Sequence, residues 1–512
     1  MSARALMILG TASHVGKSIL TAALGRILAD EGYRVAPFKA QNMSLNSAAT
    51  PNGREIGRAQ ALQAEACRIP SRAEMNPILM KPSSDCSSQV VVMGRVWGEV
   101  SAADYHQRRV EELFPIVLEA YDALAREYDV ILIEGAGSPA EINLKAHDIV
   151  NMRMAQAANA ACLLVGDIDR GGVFASLLGT VELLDSGERA LLRGFLVNKF
   201  RGDARLLEPG IRMISGRIGL PCAGVVHYLP NLGLDEEDSV ALADRPTARA
   251  AWNGAGDGPR RPLRVGVLAF PYLANFTDFD TLAAEPSVSL AYIERPEDLR
   301  QADLLILPGS KQTLNDLEWL RRGGFEPAVR NFEGGAGVMG ICGGMQMLGE
   351  SIEDPDGSEN GGVPRRDSGM AMLPIATILR AEKVTRTARG CVPSEKLFGQ
   401  PLTSSCFHGY EIHLGETVYA DGAAPFAEIE RGPDGAISTE GRVFGTYVHG
   451  LFTDDCFRHS LLAAARAACG LAPAQETVFV TAERERRIDR LANHVRSAVD
   501  MELIRRCVGA TA

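Results

Sequence analysis

Two short stretches of the 512-residue chain carry side chains that could do chemistry. The first is Gly10–Ser18, "GTASHVGKS", whose residue types suit the phosphates of a nucleotide. The second is Met339–Glu350, "MGICGGMQMLGE", which places one thiol between glycines. The function of the chain must account for both a loop that could bind ATP and a cysteine that could act as a nucleophile.

Gly10–Ser18 predicts a phosphate loop, because it follows a predicted strand and opens a predicted helix. Backbone N–H groups of such a loop and of the helix N-terminus can hold phosphate oxygens. Lys17 would neutralise the β- and γ-phosphates, and the Ser18 hydroxyl would coordinate Mg²⁺. The alternative is a glycine-rich turn without a ligand. The expected ATP-binding residues are Gly10, Thr11, Val15, Gly16, Lys17, Ser18, Asn198 and Lys199.

Two glutamates are candidate Mg²⁺ ligands at this site, because Mg²⁺ binds carboxylate oxygens near phosphates. Glu134 ends the predicted strand in "VILIEGAGS", where ligands bind in open parallel sheets. Glu55, in "GREIGRAQ", is the weaker candidate, because a carboxylate at a helix N-terminus can serve the helix dipole alone. A solvated strand-end carboxylate is the alternative for Glu134.

Other polar residues stand at the ends of further predicted strands. The Asn198 amide in "VNKF" could pair with the adenine edge or belong to an ordinary strand–loop junction. In "GDIDRGGVFAS", Asp169 and Arg170 precede a helix start. Arg170 could bind a carboxylate or a transferring phosphoryl group, or be an exposed loop residue. Lys39, Asp169 and Arg170 are the candidates for the synthetase site, where ATP would activate the substrate.

Cys342 follows an apolar run and precedes a helical one, the strand–turn–helix of a nucleophile elbow with cysteine in place of serine. The glycines allow a tight turn, and the N-terminus of the following helix favours the thiolate. The N–H of Gly343 could form half of an oxyanion hole. The loop "LPGSKQT" could supply the other half near Gly309 and Ser310. A buried structural cysteine is the alternative.

A cysteine nucleophile needs a base, and His449 is the first candidate. It follows the predicted strand "VFGTYV", whereas His413 in "FHGYEIHLG" is the second choice. Leu451 stands two residues after His449, where the acidic third member of a triad often lies. The sequence therefore predicts a Cys342–His449 dyad that is oriented by a backbone carbonyl.

The composition is that of an ordinary globular protein, with 46% hydrophobic and 23% charged residues. A net charge of −11 argues weakly against nucleic-acid and anionic-membrane partners. The ten cysteines are scattered, so we expect neither a zinc site nor a disulfide framework. The apolar runs are too short for a membrane span or a secretory signal, so we expect a cytoplasmic protein.

Apolar runs that alternate with amphipathic segments predict an α/β fold, with parallel sheets covered on both faces. Residues 241–262 lack this pattern and are rich in Gly, Pro, Ala and Arg, which predicts a linker. The expected organisation is a phosphate-loop domain over 1–232, a linker over 233–262, a second α/β domain over 263–455 and a helical tail over 456–512. The predicted strands are 5–10, 34–39, 129–135, 161–167, 193–200, 222–228, 263–270, 302–309 and 336–341.

The second half resembles the class I glutamine amidotransferases, in the variant that lacks the triad glutamate. The first half resembles dethiobiotin synthetase, which shares the long phosphate loop and the "EGAG" strand end. In the order of these two halves, the chain resembles the cobyric acid synthase family. After "SPAEINL" this chain has "KAHDIVNM" where family members often have a more polar stretch, which leaves the role of Lys145 open. The blocks that carry the resemblance are "FKAQNMSLNS" (38–47), "EIGRAQALQAEA" (55–66), "NPILMKPSSD" (76–85), "EGAGSPAEINL" (134–144), "DIVNM" (148–152), "DIDRGGVFAS" (167–176) and "NFTDFD" (275–280).

The resemblance implies a glutamine-hydrolysing carbon–nitrogen ligase of cobalamin biosynthesis that uses ATP and Mg²⁺. Its substrate would be adenosylcobyrinic acid a,c-diamide, amidated at the b, d, e and g carboxylates with ammonia released at Cys342. The expected partners are small molecules, namely the corrinoid, glutamine and ATP, with no nucleic acid and no membrane. The rival interpretations are a cobyrinic acid a,c-diamide synthase, a ParA-like partitioning ATPase and a chain whose second half is catalytically dead.

Overall fold

The chain divides into two compact units, each built from separate segments of the sequence. The computed structural model describes residues 3–82, 87–101, 105, 109–230, 232–234, 246–252, 256 and 258–509. The first unit contains Met1–Ser44, Arg54–Asp235 and Arg484–Ala512. The second unit contains Leu45–Gly53 and Glu236–Glu483.

The first unit is built on a six-stranded sheet in which all neighbouring strands are parallel. Its central strands are buried on both faces, which explains why they are apolar throughout and could be predicted. In their order across the sheet, the strands are Cys222–His227, Leu192–Phe200, Ala161–Asp167, Arg4–Gly10, Val130–Glu134 and Val35–Phe38.

Helices and a smaller sheet complete the first unit. The smaller sheet has four strands, Gln41–Met43, Ile78–Pro82, Ser87–Val92 and Arg95–Ser101. A π-helical turn, Arg109–Leu113, leads into the α-helix Phe114–Glu127. The helices are Lys17–Asp30, Arg58–Ala66, Phe114–Glu127, Met152–Ala157, Val173–Leu183, Ser186–Arg189, Glu208–Ile218 and Met501–Cys507.

The second unit contains a six-stranded sheet that is parallel except for its last pair. In order, its strands are Val288–Ile293, Leu263–Leu268, Leu304–Leu307, Gly337–Ile341, Val443–Thr446 and Ala436–Ile437. The helices of this unit are Ala248–Trp252, Asp280–Ala283, Thr313–Arg322, Phe325–Arg330, Gly343–Leu348 and Asp455–Ala468.

A second, seven-stranded sheet of this unit is mostly antiparallel. Its two long strands bring distant parts of the second half of the chain together, including the segment that ends in His449. The strands are Arg365–Ser368, Ser351–Asp354, Ile375–Cys391, Cys406–Tyr419, Val448–His449, Ala427–Ile429 and Gly432–Asp434. Within the part of the chain that the structure describes, no helix is both long and apolar enough to cross a membrane.

The structure differs from the predicted organisation in three places. Residues 45–53 belong to the second unit, although they lie within the predicted N-terminal domain. The described part of the predicted tail over 456–512 contains helices, among them Val480–Ala498 and Met501–Cys507, but its residues from Arg484 onward belong to the first unit. Part of the predicted linker is the helix Ala248–Trp252, because Trp252 is buried in the core of the second unit.

A disulfide joins Cys391 and Cys406, although the scattered cysteines predicted no disulfide framework. The two residues stand opposite each other in the antiparallel pair of strands Ile375–Cys391 and Cys406–Tyr419. Strand register creates this proximity, and a spacing of 15 residues in the sequence does not reveal it.

Close packing explains the glycines around Cys342. A Cβ atom on Gly340 would lie 2.5 Å from the backbone nitrogen of Met345, and one on Gly344 would lie 2.0 Å from the carbonyl oxygen of Leu307. The helix Gly343–Leu348 can therefore approach the strands Gly337–Ile341 and Leu304–Leu307 this closely only because Gly340 and Gly344 lack side chains.

We expect Gly344→Ala to destabilise the second unit by about 1–3 kcal/mol or more, because a clash with a backbone carbonyl cannot be relieved by a rotamer change. Gly258→Ala is the matched control, since Gly258 is exposed and no described atom lies within 4 Å of its added Cβ. Thermal unfolding followed by circular dichroism compares the two variants. Equal midpoints would contradict the packing described.

Candidate functional site

The phosphate loop joins the strand Arg4–Gly10 to the helix Lys17–Asp30. Gly16, just before the helix, has a φ of 99°, in the left-handed region that favours glycine. The first helical turn carries no acidic side chain. Its backbone N–H groups and the helix dipole are therefore oriented to receive an anion.

Lys17 lies across this loop and is buried. Its Nζ donates to the carbonyl oxygens of Ala12, at 2.9 Å, and Gly137, at 3.1 Å. A side chain on Gly10 would disturb the loop backbone, because a Cβ there would lie 2.9 Å from the Ala12 carbonyl oxygen. The Thr11 N–H donates to the Val165 carbonyl at 2.9 Å and fixes the start of the loop.

Glu134 and Ser18, predicted as metal ligands, are brought together. The Ser18 hydroxyl donates to Glu134 Oε1 at 2.8 Å, Lys39 Nζ donates to the same oxygen at 3.0 Å, and Gln63 donates to Oε2 at 2.6 Å. Burial raises the pKa of the Glu134 carboxyl, but the Lys39 charge and these hydrogen bonds hold it below its usual value. An ionised carboxylate beside a hydroxyl suits Mg²⁺, which takes its remaining ligands from phosphates and water.

The weaker metal candidate, Glu55, has a different partner. Lys81 Nζ donates to Glu55 Oε1 at 2.5 Å, and both side chains are buried. Within the described residues, no group of three or more His, Cys, Asp and Glu side chains could hold a metal alone. A metal ion here would therefore depend on the phosphates of a bound nucleotide.

Asn198 and Lys199, predicted to bind ATP, support the loop from a neighbouring strand end. Asn198 Nδ2 donates to the Val15 carbonyl at 2.8 Å. Lys199 Nζ donates to the His14 carbonyl at 2.7 Å and to Asp167 Oδ2 at 2.9 Å. Their side chains thus hold the loop backbone in place.

Two of the three synthetase-site candidates, Asp169 and Arg170, are on the surface. Asp169 forms an ion pair with Arg201, with 3.2 Å between Oδ1 and Nε, and Arg170 is exposed. Lys39 is the buried member of the predicted set, and its contact is with Glu134.

Cys342 forms the elbow that the sequence predicts. It has φ 49° and ψ −111°, an uncommon conformation for a residue with a side chain, between the strand Gly337–Ile341 and the helix Gly343–Leu348. Its Sγ lies 3.8 Å from the Ile412 carbonyl oxygen. Strained backbone of this kind aims a side chain out of the strand–helix turn.

The predicted oxyanion residues lie beside this elbow. A Cβ on Gly343 would be 3.0 Å from the Ser310 backbone nitrogen, and one on Gly309 would be 3.0 Å from His449 Cε1. Gly343 and Gly309 therefore allow the elbow, the loop and the histidine to pack together. The Ser310 hydroxyl donates to Asp316, and burial raises the pKa of that carboxyl to about 7.

His449 is oriented by a carboxylate, which corrects the predicted backbone carbonyl. Its Nδ1 lies 2.6 Å from Asp278 Oδ2, and the Gly450 N–H donates to Asp278 Oδ1 at 3.0 Å. Burial lowers the pKa of the imidazole, but the Asp278 charge and hydrogen bond, together with Cys342, raise it to about 9. The arrangement is therefore a triad, Cys342–His449–Asp278.

The sequence carries a signal for Asp278, but not in the residues that follow His449. Asp278 lies in the block "NFTDFD", which follows the first strand of the second domain and contains two aspartates. Its distance of 171 residues from His449 explains why local spacing did not reveal it.

His413, the second candidate for the base, is engaged elsewhere. Its Nδ1 lies 2.8 Å from the Gly415 carbonyl oxygen and its Nε2 lies 3.2 Å from Glu411 Oε1. The ring stacks on Tyr447 with 3.8 Å between centroids. Leu451 is fully buried, so it fills core space near His449.

Two family models match most of the chain. Residues 6–240 match the CobQ/CobB/MinD/ParA nucleotide binding domain, and residues 264–457 match the CobB/CobQ-like glutamine amidotransferase domain. The nucleotide-binding match agrees with the phosphate loop, and the amidotransferase match contains both Cys342 and His449.

Curated relatives match over nearly the full length. Cobyric acid synthase of Moorella thermoacetica is 47% identical over 506 residues, which covers 98% of this chain and 96% of that protein. The enzyme of that name from Desulforudis audaxviator is 48% identical over 509 residues and covers 98% of both chains. That of Salmonella heidelberg is 44% identical over 512 residues, which covers 98% of this chain and 97% of that protein. The chain therefore belongs to the cobyric acid synthase family.

Proposed function

We propose that this ligase amidates the b, d, e and g carboxylates of adenosylcobyrinic acid a,c-diamide, using ATP and glutamine, in the cytoplasm. The observation that carries the proposal is that one chain of this family combines a phosphate loop with a cysteine–histidine–aspartate site. A carboxylate is a poor electrophile, and ammonium is a poor nucleophile. Each unit therefore prepares one of the two reactants.

Glutamine is hydrolysed at Cys342. The thiolate attacks the side-chain carbonyl carbon of glutamine, and the N–H groups of Gly343 and Ser310 stabilise the resulting oxyanion. Protonated His449 gives its proton to the departing nitrogen, so ammonia leaves and a glutamyl thioester remains on Cys342. Neutral His449 then takes a proton from water, whose oxygen displaces the thiolate and releases glutamate.

Asp278 positions His449 for both steps. Because its carboxylate holds Nδ1, the second ring nitrogen, Nε2, is the one left to exchange protons at Cys342. The same charge stabilises the imidazolium, which raises the pKa of His449 to about 9. His449 therefore carries a proton at neutral pH, as the departure of ammonia requires.

The first unit activates the acceptor carboxylate. A carboxylate oxygen attacks the γ-phosphorus of ATP, ADP leaves, and an acyl phosphate forms. Ammonia then attacks the acyl carbon, phosphate leaves, and the nitrogen loses a proton to give the amide. Lys17 would neutralise the transferring phosphoryl group, and Ser18 and Glu134 would hold Mg²⁺, which would supply further neutralisation of phosphate charge.

We assign the corrinoid side chain that carries the reacting carboxylate to a cavity of about 510 Å³ in the first unit. Gly137 and Ser138 line it, and the Gly137 carbonyl holds Lys17, so this cavity borders the phosphate loop. Lys145 also lines it but pairs with Glu188 at 2.6 Å, which indicates that Lys145 shapes the wall. Asp169, Arg170 and Lys39 remain candidates for the phosphoryl-transfer step.

The product distinguishes this function from its rivals. Adenosylcobyrinic acid a,c-diamide is incubated with the protein, ATP, Mg²⁺ and glutamine, and the amides added are counted by mass spectrometry. We expect four amides, and none when ATP is omitted. A substrate that gains no amide would refute the proposal. Glutaminase activity that is lost on alkylation of the thiol would exclude a ParA-like switch.

We expect Cys342→Ser to abolish synthesis with glutamine and to retain synthesis with ammonium salts at raised pH. The thiol prepares ammonia but takes no part in forming the acyl phosphate. Both rates are measured by amide formation. A folded variant that is inactive with both nitrogen donors would contradict the proposal that the thiol serves only the release of ammonia.

We expect Lys17→Ala to lose synthesis with either donor by about 10²-fold or more, because ammonia cannot replace phosphoryl transfer. Glutamate release serves as the internal control for folding of the second unit. If most of the ammonia-dependent synthesis survives, Gly10–Ser18 is not the catalytic nucleotide site.

We expect His449→Ala to lower glutamate release by about 10²-fold or more, as loss of a positioned proton-transfer group predicts. His413→Ala should cost far less, because both of its ring nitrogens contact Glu411 and Gly415. Steady-state rates of the two variants are compared side by side. A reversed order of activity would assign the base to His413.

We expect the wild-type kcat/KM for glutamine to fall as the pH rises through about 9, because His449 must be protonated when ammonia leaves. In Asp278→Asn the imidazolium loses its partner charge, so this alkaline limb should move down by about one pH unit or more. The measurement is glutamate release across the pH range. An alkaline limb that does not move would show that Asp278 does not control the protonation of His449.

A further inference from the structure

A short segment from the first half of the sequence is part of the second unit. The chain leaves the first unit after Ser44 and returns to it at Arg54. Within the second unit, the strand Ser47–Ala49 packs against the strands Ile375–Cys391 and Cys406–Tyr419. The second of these contains Ile412, whose carbonyl oxygen contacts Cys342 Sγ.

Two reciprocal hydrogen bonds fix this segment to the loop before Asp278. The Phe276 N–H donates to Asn46 Oδ1 at 3.1 Å, and the Ser47 N–H donates to Asn275 Oδ1 at 3.0 Å. All four residues are buried, with at most 3% of their surface exposed. Asn275 has a φ of 53°, so its left-handed backbone is held by these contacts.

The loop held in this way supports two parts of the glutaminase site. The Asp278 N–H donates to the Asn275 carbonyl at 3.0 Å, and the Asp278 side chain orients His449. The Ala274 N–H donates to the Gly309 carbonyl at 2.9 Å, at the start of the oxyanion loop. A shift of this loop would therefore move the orienting carboxylate and the oxyanion donors together.

We propose that Asn46 is a positioning residue of the glutaminase site, so that glutamine hydrolysis depends on a segment supplied by the ATP-binding half of the sequence. This inference rests on the proposed glutaminase activity. Removing the Asn46 side chain removes this acceptor from the buried Phe276 N–H, and the loss of the hydrogen bond weakens the attachment of the loop. Displacements of about 1 Å far from the reacting atoms can cost about 10²-fold in rate.

The test compares Asn46→Ala with Asn52→Ala in the full-length protein. Asn52 lies in the same segment but is exposed, so it controls for substitution of this segment. For each variant we measure kcat and KM for glutamate release, ammonia-dependent synthesis, and labelling of the thiol by a glutamine-analogue diazo ketone. The final labelling stoichiometry counts the chains with a competent thiol, and its rate reports their reactivity.

We expect Asn46→Ala to lower kcat by about 10-fold or more with KM changed by less than about threefold, because the reacting groups rather than the glutamine contacts are displaced. Labelling should reach one per chain but more slowly, and ammonia-dependent synthesis should match wild type. Asn52→Ala should behave as wild type. Wild-type kcat in Asn46→Ala, or a labelling stoichiometry that falls in step with kcat, would overturn the inference. A wild-type protein without glutaminase activity would instead refute the proposed function.

A second pair of variants covers the case in which Asn46→Ala does not fold. Asn275→Gly keeps the left-handed backbone and loses the acceptor for the Ser47 N–H, whereas Asn275→Asp keeps the acceptor. We expect Asn275→Asp to retain at least about threefold more kcat than Asn275→Gly. Equal values would overturn the inference.

Discussion

The buried hydrogen bond between Asp278 and His449 is the interaction on which the proposed glutaminase site of the second unit depends. A charged imidazole is costly to bury without a partner, and Asp278 supplies that partner at 2.6 Å. With the carboxylate in place, the pKa of His449 rises to about 9 despite burial. In the mechanism proposed here, the uncommon backbone conformation of Cys342 presents its thiol to a histidine that Asp278 has already oriented.

The first unit uses a buried carboxylate for a different purpose. Glu134 is held by Lys39, Gln63 and Ser18, and these contacts keep its pKa below the usual value. Asp278 stabilises a proton on its neighbour, whereas Glu134 remains free of a proton and can face a cation. In both units, a few hydrogen bonds to buried side chains set the charge state that the proposed chemistry requires.

Local patterns predicted the central elements and the main candidate residues. Apolar runs located the strands Arg4–Gly10 and Gly337–Ile341, and the residues that follow them carry the phosphate loop and Cys342. The carboxyl ends of parallel strands meet at one edge, so the sequence alone was enough to expect Glu134 near Ser18.

Contacts between distant segments could not be predicted in the same way. Asp278 reaches His449 across 171 residues, and Asn46 reaches Phe276 across 230 residues. The pairing of Cys391 with Cys406 depends on the register of two strands. Each of these follows from tertiary packing, for which residue spacing along the chain holds no signal.

The central claim is that glutamine hydrolysed in one unit supplies the nitrogen for amides made with ATP in the other. The most direct measurement is mass spectrometry of the corrinoid after incubation with amide-¹⁵N glutamine, ATP and Mg²⁺. We expect ¹⁵N in every new amide, with one glutamate and one ADP formed for each. Glutamate and ADP produced without labelled amide would contradict the account.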